Sequence, residues 1–246
     1  FFSLVFSYMQ TVKVYPEGGG SYGVAKENLG DGASLLGGNA LIIDYILTVA
    51  VSVSAAVRAI TSAFHFLKPF QTILCVGCIF ALGWLNLRGT KESAKVVSSP
   101  VYLFMILLGA LCIGGFILPT PEGMTPHTSP HSDRPDLPMT FATIFIILRA
   151  FSGGCTAMTG IEAVATSSKA LTEPCWHTAQ KILLGTGMVV AFSFLMITNL
   201  VFQWGLHPNA TESLLSQLAR GVFGNGYVYM TFQFMTTFIL LLAANT

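Results

Sequence analysis

Three oxygen-bearing side chains, Asp44, Thr48 and Ser52, stand four positions apart in one long apolar stretch, and Asp44 is the sole charged residue between Gly32 and Val57. Residues at this spacing lie on one face of an α-helix, and hard cations prefer carboxylate and hydroxyl oxygens as ligands. The pattern predicts a short cation path with more than one stopping place, because eight residues of helix separate two of these groups by about 12 Å. Hydroxyls in membrane helices also bond the backbone or a neighbouring helix, which is the structural alternative.

A second polar group follows a cluster of glycines in the stretch FSGGCTAMTGIE, residues 151–162. Gly153, Gly154 and Gly160 each weaken a helix by about 1 kcal/mol relative to alanine, so we expect a broken helix near residues 153–160. Interrupted membrane helices expose carbonyls and half-helix ends that coordinate ions or substrate. Thr159 and Glu162 would present a hydroxyl and a carboxylate beside such a break. Close helix packing through small residues is the alternative.

Asp44 and Glu162 are acids in apolar surroundings. A carboxylate at bilayer depth costs about 2.5–3.5 kcal/mol, so it usually faces a cavity or a partner and marks a transport path. The alternatives are a position near the membrane interface or a structural ion pair with Arg58 or Arg149.

The elements that carry these residues are predicted to be membrane-spanning helices. Only 9% of the residues are charged and 53% are hydrophobic, whereas soluble domains carry about 25% charged residues. Apolar windows predict seven segments, at roughly 1–14, 36–64, 69–87, 96–118, 141–168, 181–204 and 227–246. The sequence therefore predicts an all-α polytopic membrane protein, with residues 1–246 forming a single domain in contact with the lipid bilayer.

The composition and one glycine motif also bear on other classes of partner. A net charge of +1 argues against nucleic acid, which needs a basic patch. Gly18, Gly20 and Gly23 have the spacing of a dinucleotide-binding turn, but that turn follows a β-strand. Residues 1–14 are typical of the end of a membrane helix instead, so we predict no nucleotide cofactor.

Several stretches resemble a known transporter superfamily. They are YPEGGGSYGVAKENLG, DYILTVAVSVSAAVRAITSAF, LNLRGTKESAKVVSSPVYLF, AFSGGCTAMTGIEAVA and LLAANT. Together they resemble the amino acid, polyamine and organocation (APC) superfamily, and most closely its proton-coupled potassium importers of the KUP and KimA type. The resemblance implies a LeuT-type fold of two inverted five-helix repeats, of which this chain supplies about helices two to eight. The remaining helices of that fold would be its structural partners.

The same resemblance implies the roles of individual residues. The potassium-lining positions of the family's third helix fall on Asp44, Thr48 and Ser52, and those of its broken sixth helix fall on Thr159 and Glu162. Potassium would be held at Asp44, Thr48, Ser52 and Thr159. Our hypothesis for Glu162 is that it carries or gates the proton, because desolvation favours its neutral form and a nearby cation favours its charged form.

We therefore expect a secondary transporter that imports potassium with protons, has no resident cofactor and is not an enzyme. Its location would be the plasma (inner) membrane, as a multi-pass protein, and a homodimer is left open. The alternatives are an amino acid permease of the same superfamily and a non-transporting membrane fragment.

Overall fold

The computed structural model describes residues 2–15, 20–88, 94–119, 141–156, 159–166, 171, 175–209 and 212–245. Every regular element in these ranges is a helix, which confirms the predicted all-α class. The α-helices are α1 (Phe2–Val14), α2 (Gly20–Leu29), α3 (Asp31–Ala63), α4 (Gln71–Leu87), α5 (Ala94–Ile117), α6 (Phe141–Thr156), α7 (Ile161–Thr166), α8 (Cys175–Gln203), α9 (Leu214–Phe223) and α10 (Tyr227–Ala244). A 3₁₀ helix, His65–Phe70, leads into α4.

Within the described ranges, five helical segments are long and apolar enough to cross a membrane, namely Asp31–Ala63, His65–Leu87, Ser98–Ile117, Cys175–Gln203 and Tyr227–Ala244. Their apolar surfaces suit lipid rather than water. The shortest of them has 18 residues, and a helix of that length approaches the thickness of the hydrocarbon core. No residue of α4 is buried against the part of the chain that the structure describes. The chain is thus part of a multi-pass integral membrane protein.

Two short helices lie outside the apolar windows of the sequence. Helix α2 is 10 residues long and contains Lys26 and Glu27, and α9 is 10 residues long and contains Arg220. Ser213 precedes α9 and its side chain accepts a hydrogen bond from the backbone N–H of Ser216, which caps the helix start. A rule that searches for 18 apolar residues cannot find helices of this length.

The described residues divide into two compact units. The first contains those within 1–48 and 129–192. In it α1 and α7 pack together, and the start of α8 joins them through buried apolar side chains. These residues are Val5, Val12, Ala165, Ala179 and Leu183. The amide of Gln180 donates to the backbone carbonyl of Met9 at 2.9 Å, which adds a directional contact between α8 and α1.

The second unit contains the described residues within 49–128 and 193–246. Here α5, α9 and α10 pack around the end of α8. The buried cluster is Leu108, Leu111, Leu200, Trp204, Leu206, Leu218, Ala219, Tyr229 and Phe232. The rings of Phe104 and Phe232 stack with their centroids 5.8 Å apart, so aromatic packing joins α5 to α10.

Candidate functional site

The glycine-rich segment contains a turn at residues 159–160, between α6 and α7. Helix α6 ends at Thr156, α7 begins at Ile161, and Gly160 lies in the turn before α7 with φ of +96°. This left-handed conformation favours glycine, because a Cβ atom there meets the backbone. Gly153 and Gly154 lie inside α6 with open space around both. Of the three glycines named from the sequence, Gly160 alone lies at the turn.

Glu162 stands in the first turn of α7 and is half-buried. Its Oε1 atom accepts a hydrogen bond of 2.7 Å from the hydroxyl of Tyr45 on α3. The hydroxyl of Tyr8 on α1 also interacts with this carboxylate, and it lies 3.2 Å from the Ser21 hydroxyl on α2. Within the first unit, Glu162 is therefore the point on which side chains of α1 and α3 converge.

The position of α7 depends on a close approach to α2. Gly20 begins α2 with φ of +49°, and a Cβ atom there would lie 2.8 Å from the hydroxyl oxygen of Thr166. That hydroxyl donates to the backbone carbonyl of Glu162 at 3.1 Å. Gly20 thus leaves room for the Thr166 side chain, whose hydrogen bond lies within α7. Gly18, the first glycine of the dinucleotide-like motif, lies outside the described residues, and the element preceding the motif is helix α1 rather than a strand.

Asp44 is half-buried on α3, one position before Tyr45. Among the residues that the structure describes, it has no salt-bridge partner. Arg58, one of the two partners considered from the sequence, follows 14 positions later in the same helix, about 21 Å along the axis. Arg149, the other, lies on α6 and forms no described ion pair with Asp44 or Glu162. Within the part of the chain that the structure describes, neither Arg58 nor Arg149 is thus an ion-pair partner of Asp44.

Thr48 follows Asp44 by one helical turn. Its hydroxyl oxygen is buried and has no hydrogen-bond partner among the described residues. Buried hydroxyls are nearly always paired, and the free energy of leaving one unpaired is about 1–3 kcal/mol. Thr48 thus leaves a free acceptor beside the carboxylate-bearing turn of α3. Ser52, the third residue of the stripe, is half-buried in the part of α3 that belongs to the second unit.

Thr159 lines a cavity of about 140 Å³ between the turn and α8. Gly160 and Ile161 share its wall, and α8 contributes Thr186 and Gly187. The space is large enough for several water molecules, since each occupies about 30 Å³ of liquid. The hydroxyls of Thr159 and Thr186 are the polar side chains that line it.

Sequence reasoning missed two residues that the structure brings to this region, Tyr45 and Thr186. The partner of Tyr45 lies 117 positions away, and helix periodicity reports only on residues within the same helix. The position of Tyr45 directly after Asp44 was the sequence signal that could have identified it as a site residue. Thr186 lies between Gly185 and Gly187 in an otherwise apolar run, and this pair of glycines was the available signal, since small residues mark close approach in membrane helices.

The arrangement offers oxygen ligands and negative charge in an apolar setting. Carboxylates at Asp44 and Glu162 and hydroxyls at Thr48 and Thr159 suit a hard cation better than a soft metal.

Comparison with known proteins is consistent with this chemistry. The sequence profile described as amino acid permease matches residues 1–246. The potassium transporter KimA of Bacillus subtilis (strain 168) is 41% identical over 245 residues, which are 99% of this chain and 40% of that protein. The chain thus spans about two fifths of the length of the relative that it matches.

Proposed function

The chain belongs to the amino acid permease family, and from that premise we propose that it is part of a secondary active transporter that imports potassium together with protons. Its similarity to a protein named as a potassium transporter supports the substrate. The named relative is a transporter and the matching family is one of permeases, so membrane transport is the function to be tested rather than catalysis. We place the protein in the plasma membrane, with potassium and protons as cargo and no resident cofactor.

One observation carries the proposal. Asp44 has no ion-pair partner among the described residues, and one turn further along α3 stands the unpaired hydroxyl oxygen of Thr48. An uncompensated carboxylate and an uncompensated hydroxyl are each costly in an apolar environment. A bound cation satisfies both groups, since it accepts the oxygen lone pairs that no protein donor occupies.

The proposed roles follow from charge and chemistry. Asp44 balances the charge of a partly dehydrated ion, and the hydroxyls of Thr48 and Thr159 replace water from its hydration shell. Ser52 continues the same face of α3 as a further stopping place. Glu162 carries the proton, because a cation nearby favours its charged form and an apolar environment favours its neutral form.

The second candidate is import of an amino acid, which the name of the matching family favours. Asp44 distinguishes the two functions. A carboxylate in the binding region repels the carboxylate of an amino acid, whereas it attracts potassium.

The test is uptake by the full-length protein reconstituted in lipid vesicles. We expect potassium uptake to increase when the outside is acidified, because protons then drive import. Uptake of amino acids without potassium transport would overturn the proposed substrate. Potassium uptake that does not respond to an imposed proton gradient would remove Glu162 from the coupling role. Vesicles without protein provide the leak rate.

A further inference from the structure

The hydrogen bond between Tyr45 and Glu162 joins two helices that both carry proposed ion-binding residues. The donor is the Tyr45 hydroxyl on α3, the acceptor is Oε1 of Glu162 on α7, and the distance is 2.7 Å. Tyr45 directly follows Asp44, so it leaves the helix about 100° around the axis from that carboxylate. The two neighbours on α3 can therefore act separately: Asp44 can face the proposed cation while Tyr45 contacts Glu162 on α7.

We propose that Tyr45 is a positioning residue that occupies the Glu162 carboxylate and competes with the transported cation for it, an inference that rests on the proposed potassium transport. The carboxylate oxygen that accepts from a phenol has fewer lone pairs available for a cation. A potassium ion that contacts Oε1 of Glu162 thus competes with the phenol for that oxygen. The bond limits how tightly the ion is held at α7 and speeds its departure.

The strength of this bond is appropriate for such a competition. Hydrogen bonds to charged groups contribute more than neutral ones, but far less than the full dehydration of an ion. The Tyr45 side chain is 47% exposed and Glu162 is half-buried. The ring can therefore rotate away without leaving a cavity in a packed core, so the contact can open and close at low cost.

Three neighbouring groups define the electrostatic setting of the pair. Tyr8 reaches Glu162 from α1, Ser21 lies beside Tyr8 on α2, and Asp44 adds a negative charge from α3. The described surroundings of Glu162 thus supply hydroxyl groups rather than cations. Among the described residues no cation faces this carboxylate, so a potassium ion would supply the missing positive charge, and at Oε1 it would compete with the Tyr45 hydroxyl.

A purely structural tie between α3 and α7 makes a different prediction. If the bond only held the helices together, its loss would lower stability and weaken potassium binding along with it. If the hydroxyl competes with the ion, its loss exposes a better ligand, so the KM for potassium falls while the maximal rate also falls because the ion leaves more slowly. The two interpretations predict opposite signs for the change in KM.

The experiment measures potassium uptake by the full-length transporter carrying Tyr45→Phe, which removes the hydroxyl and keeps the ring. We expect the KM to fall about tenfold, the lower end of what one charge-assisted hydrogen bond supplies, and the maximal rate to fall with it. Tyr22→Phe is the matched control, because the same atom is removed from a tyrosine of α2 for which no contact with Glu162 is found in the described structure. Its KM should equal that of the unsubstituted protein.

The double substitution isolates the pair. In a Glu162→Gln background the ionised acceptor is gone, so adding Tyr45→Phe should leave unchanged the potassium concentration that gives half-maximal thermal stabilisation of the purified protein, a readout that does not need proton coupling. A rise in KM, an unchanged KM, or loss of Tyr45→Phe protein from the membrane fraction would each overturn the inference. Absence of potassium uptake by the unsubstituted protein would overturn the proposed function and this inference together, whereas normal uptake with an unaltered Tyr45→Phe variant would overturn the inference alone.

Discussion

Arg220 and Glu212 form an ion pair in which Nη2 of the arginine lies 3.0 Å from Oε1 of the carboxylate. The same guanidinium donates to the Tyr229 hydroxyl at 3.2 Å and to the backbone carbonyl of Ser62 at 3.3 Å. Burial disfavours the charged guanidinium, but the bond to Tyr229 and the charge of Glu212 outweigh it and raise the pKa of Arg220 above its ordinary value. Within the second unit this pair fixes α9 to the end of α3 and the beginning of α10.

Replacing Glu212 with glutamine should destabilise the second unit. The substitution keeps the shape of the side chain and removes the charge opposite Arg220, whose side chain is 33% exposed. We expect the free energy of unfolding to fall by about 1–3 kcal/mol, the cost of leaving a partly buried polar group without its partner. Thermal unfolding of the full-length protein in detergent measures the change. The exposed Glu27 on α2 provides the control, and an equal loss in Glu27→Gln would show that the ion pair has no special weight.

Asp44→Asn tests the proposed cation ligand. The amide keeps the shape of the side chain and loses the charge that offsets a dehydrated ion, so potassium affinity should fall roughly tenfold to a hundredfold. Growth of a potassium-uptake-deficient host at graded potassium concentrations measures the effect, with the amount of protein in the membrane fraction measured alongside.

Asp31→Asn is the matched control for that experiment, since Asp31 is an exposed aspartate in the first turn of the same helix. The control should grow as the unsubstituted protein does. Wild-type potassium dependence of Asp44→Asn at a normal protein level would exclude Asp44 as an ion ligand and remove most of the case for potassium over amino acids.

Thr48→Val separates a binding role from a structural one by the sign of the stability change. Valine has nearly the same shape but no hydroxyl, so it removes a buried oxygen that lacks a partner among the described residues. We expect the protein without potassium to become more stable by about 1–3 kcal/mol and potassium affinity to fall. Thermal unfolding with and without potassium measures both quantities. Lower stability in the absence of the ion would mean that the hydroxyl has a structural partner, and Thr198→Val on α8 controls for the substitution itself.

The break between α6 and α7 can be tested with two of its glycines. Gly160→Ala places a Cβ atom at φ of +96°, which costs about 1–2 kcal/mol, so we expect the turn to distort and transport to fall. Gly154→Ala lies inside α6 with open space around it, and it should stabilise the helix by about 0.5–1 kcal/mol without reducing transport. Potassium uptake per unit of membrane protein measures both variants. Equal transport by both would mean that the turn at Gly160 is not needed.

Gly20→Ala tests the close approach of α2 to α7. The added methyl group would lie 2.8 Å from the Thr166 hydroxyl at a positive φ of +49°, so the thermal stability should fall by about 1–3 kcal/mol from overpacking and strain. Thr166→Ala in the same chain should restore the part due to overpacking. Gly23→Ala, which has open space around it, should be tolerated. The absence of any rescue would assign the whole effect to backbone strain.

The fold class was predictable from the sequence because a membrane helix is recognised by a run of consecutive apolar residues. The apolar stretch around Asp44 and the run into α10 carry nearly all their information in consecutive residues. Helices α2 and α9 were not predicted, since their polar residues and short length give no apolar window. The break was expected in the correct segment, but the sequence could not tell Gly160 from Gly153 and Gly154, because a helix tolerates glycine and the position of a turn depends on what the next element packs against.

The candidate site was predictable in part for the same reason. Asp44 and Thr48 could be identified from their residue types and their spacing along one helix. The contact between Tyr45 and Glu162 forms only when two helices distant in sequence come together. The unpaired state of the Thr48 hydroxyl could not be predicted either. A helical threonine can bond the carbonyl one turn before it, and only the structure shows that Thr48 does not.

The turn at Gly160 lies between two sources of negative charge, the carboxyl end of α6 and the side chain of Glu162 on α7. Helix α6 stops at Thr156, so the aligned peptide dipoles end there with a partial negative charge of roughly half an elementary charge. The carboxylate of Glu162 can be neutralised by a proton, but these dipoles cannot. In the proposed transport, a cation approaching the turn would experience one attraction that disappears when Glu162 is protonated and another, from the end of α6, that persists at every pH. Protonation of Glu162 would thus lower the attraction without abolishing it.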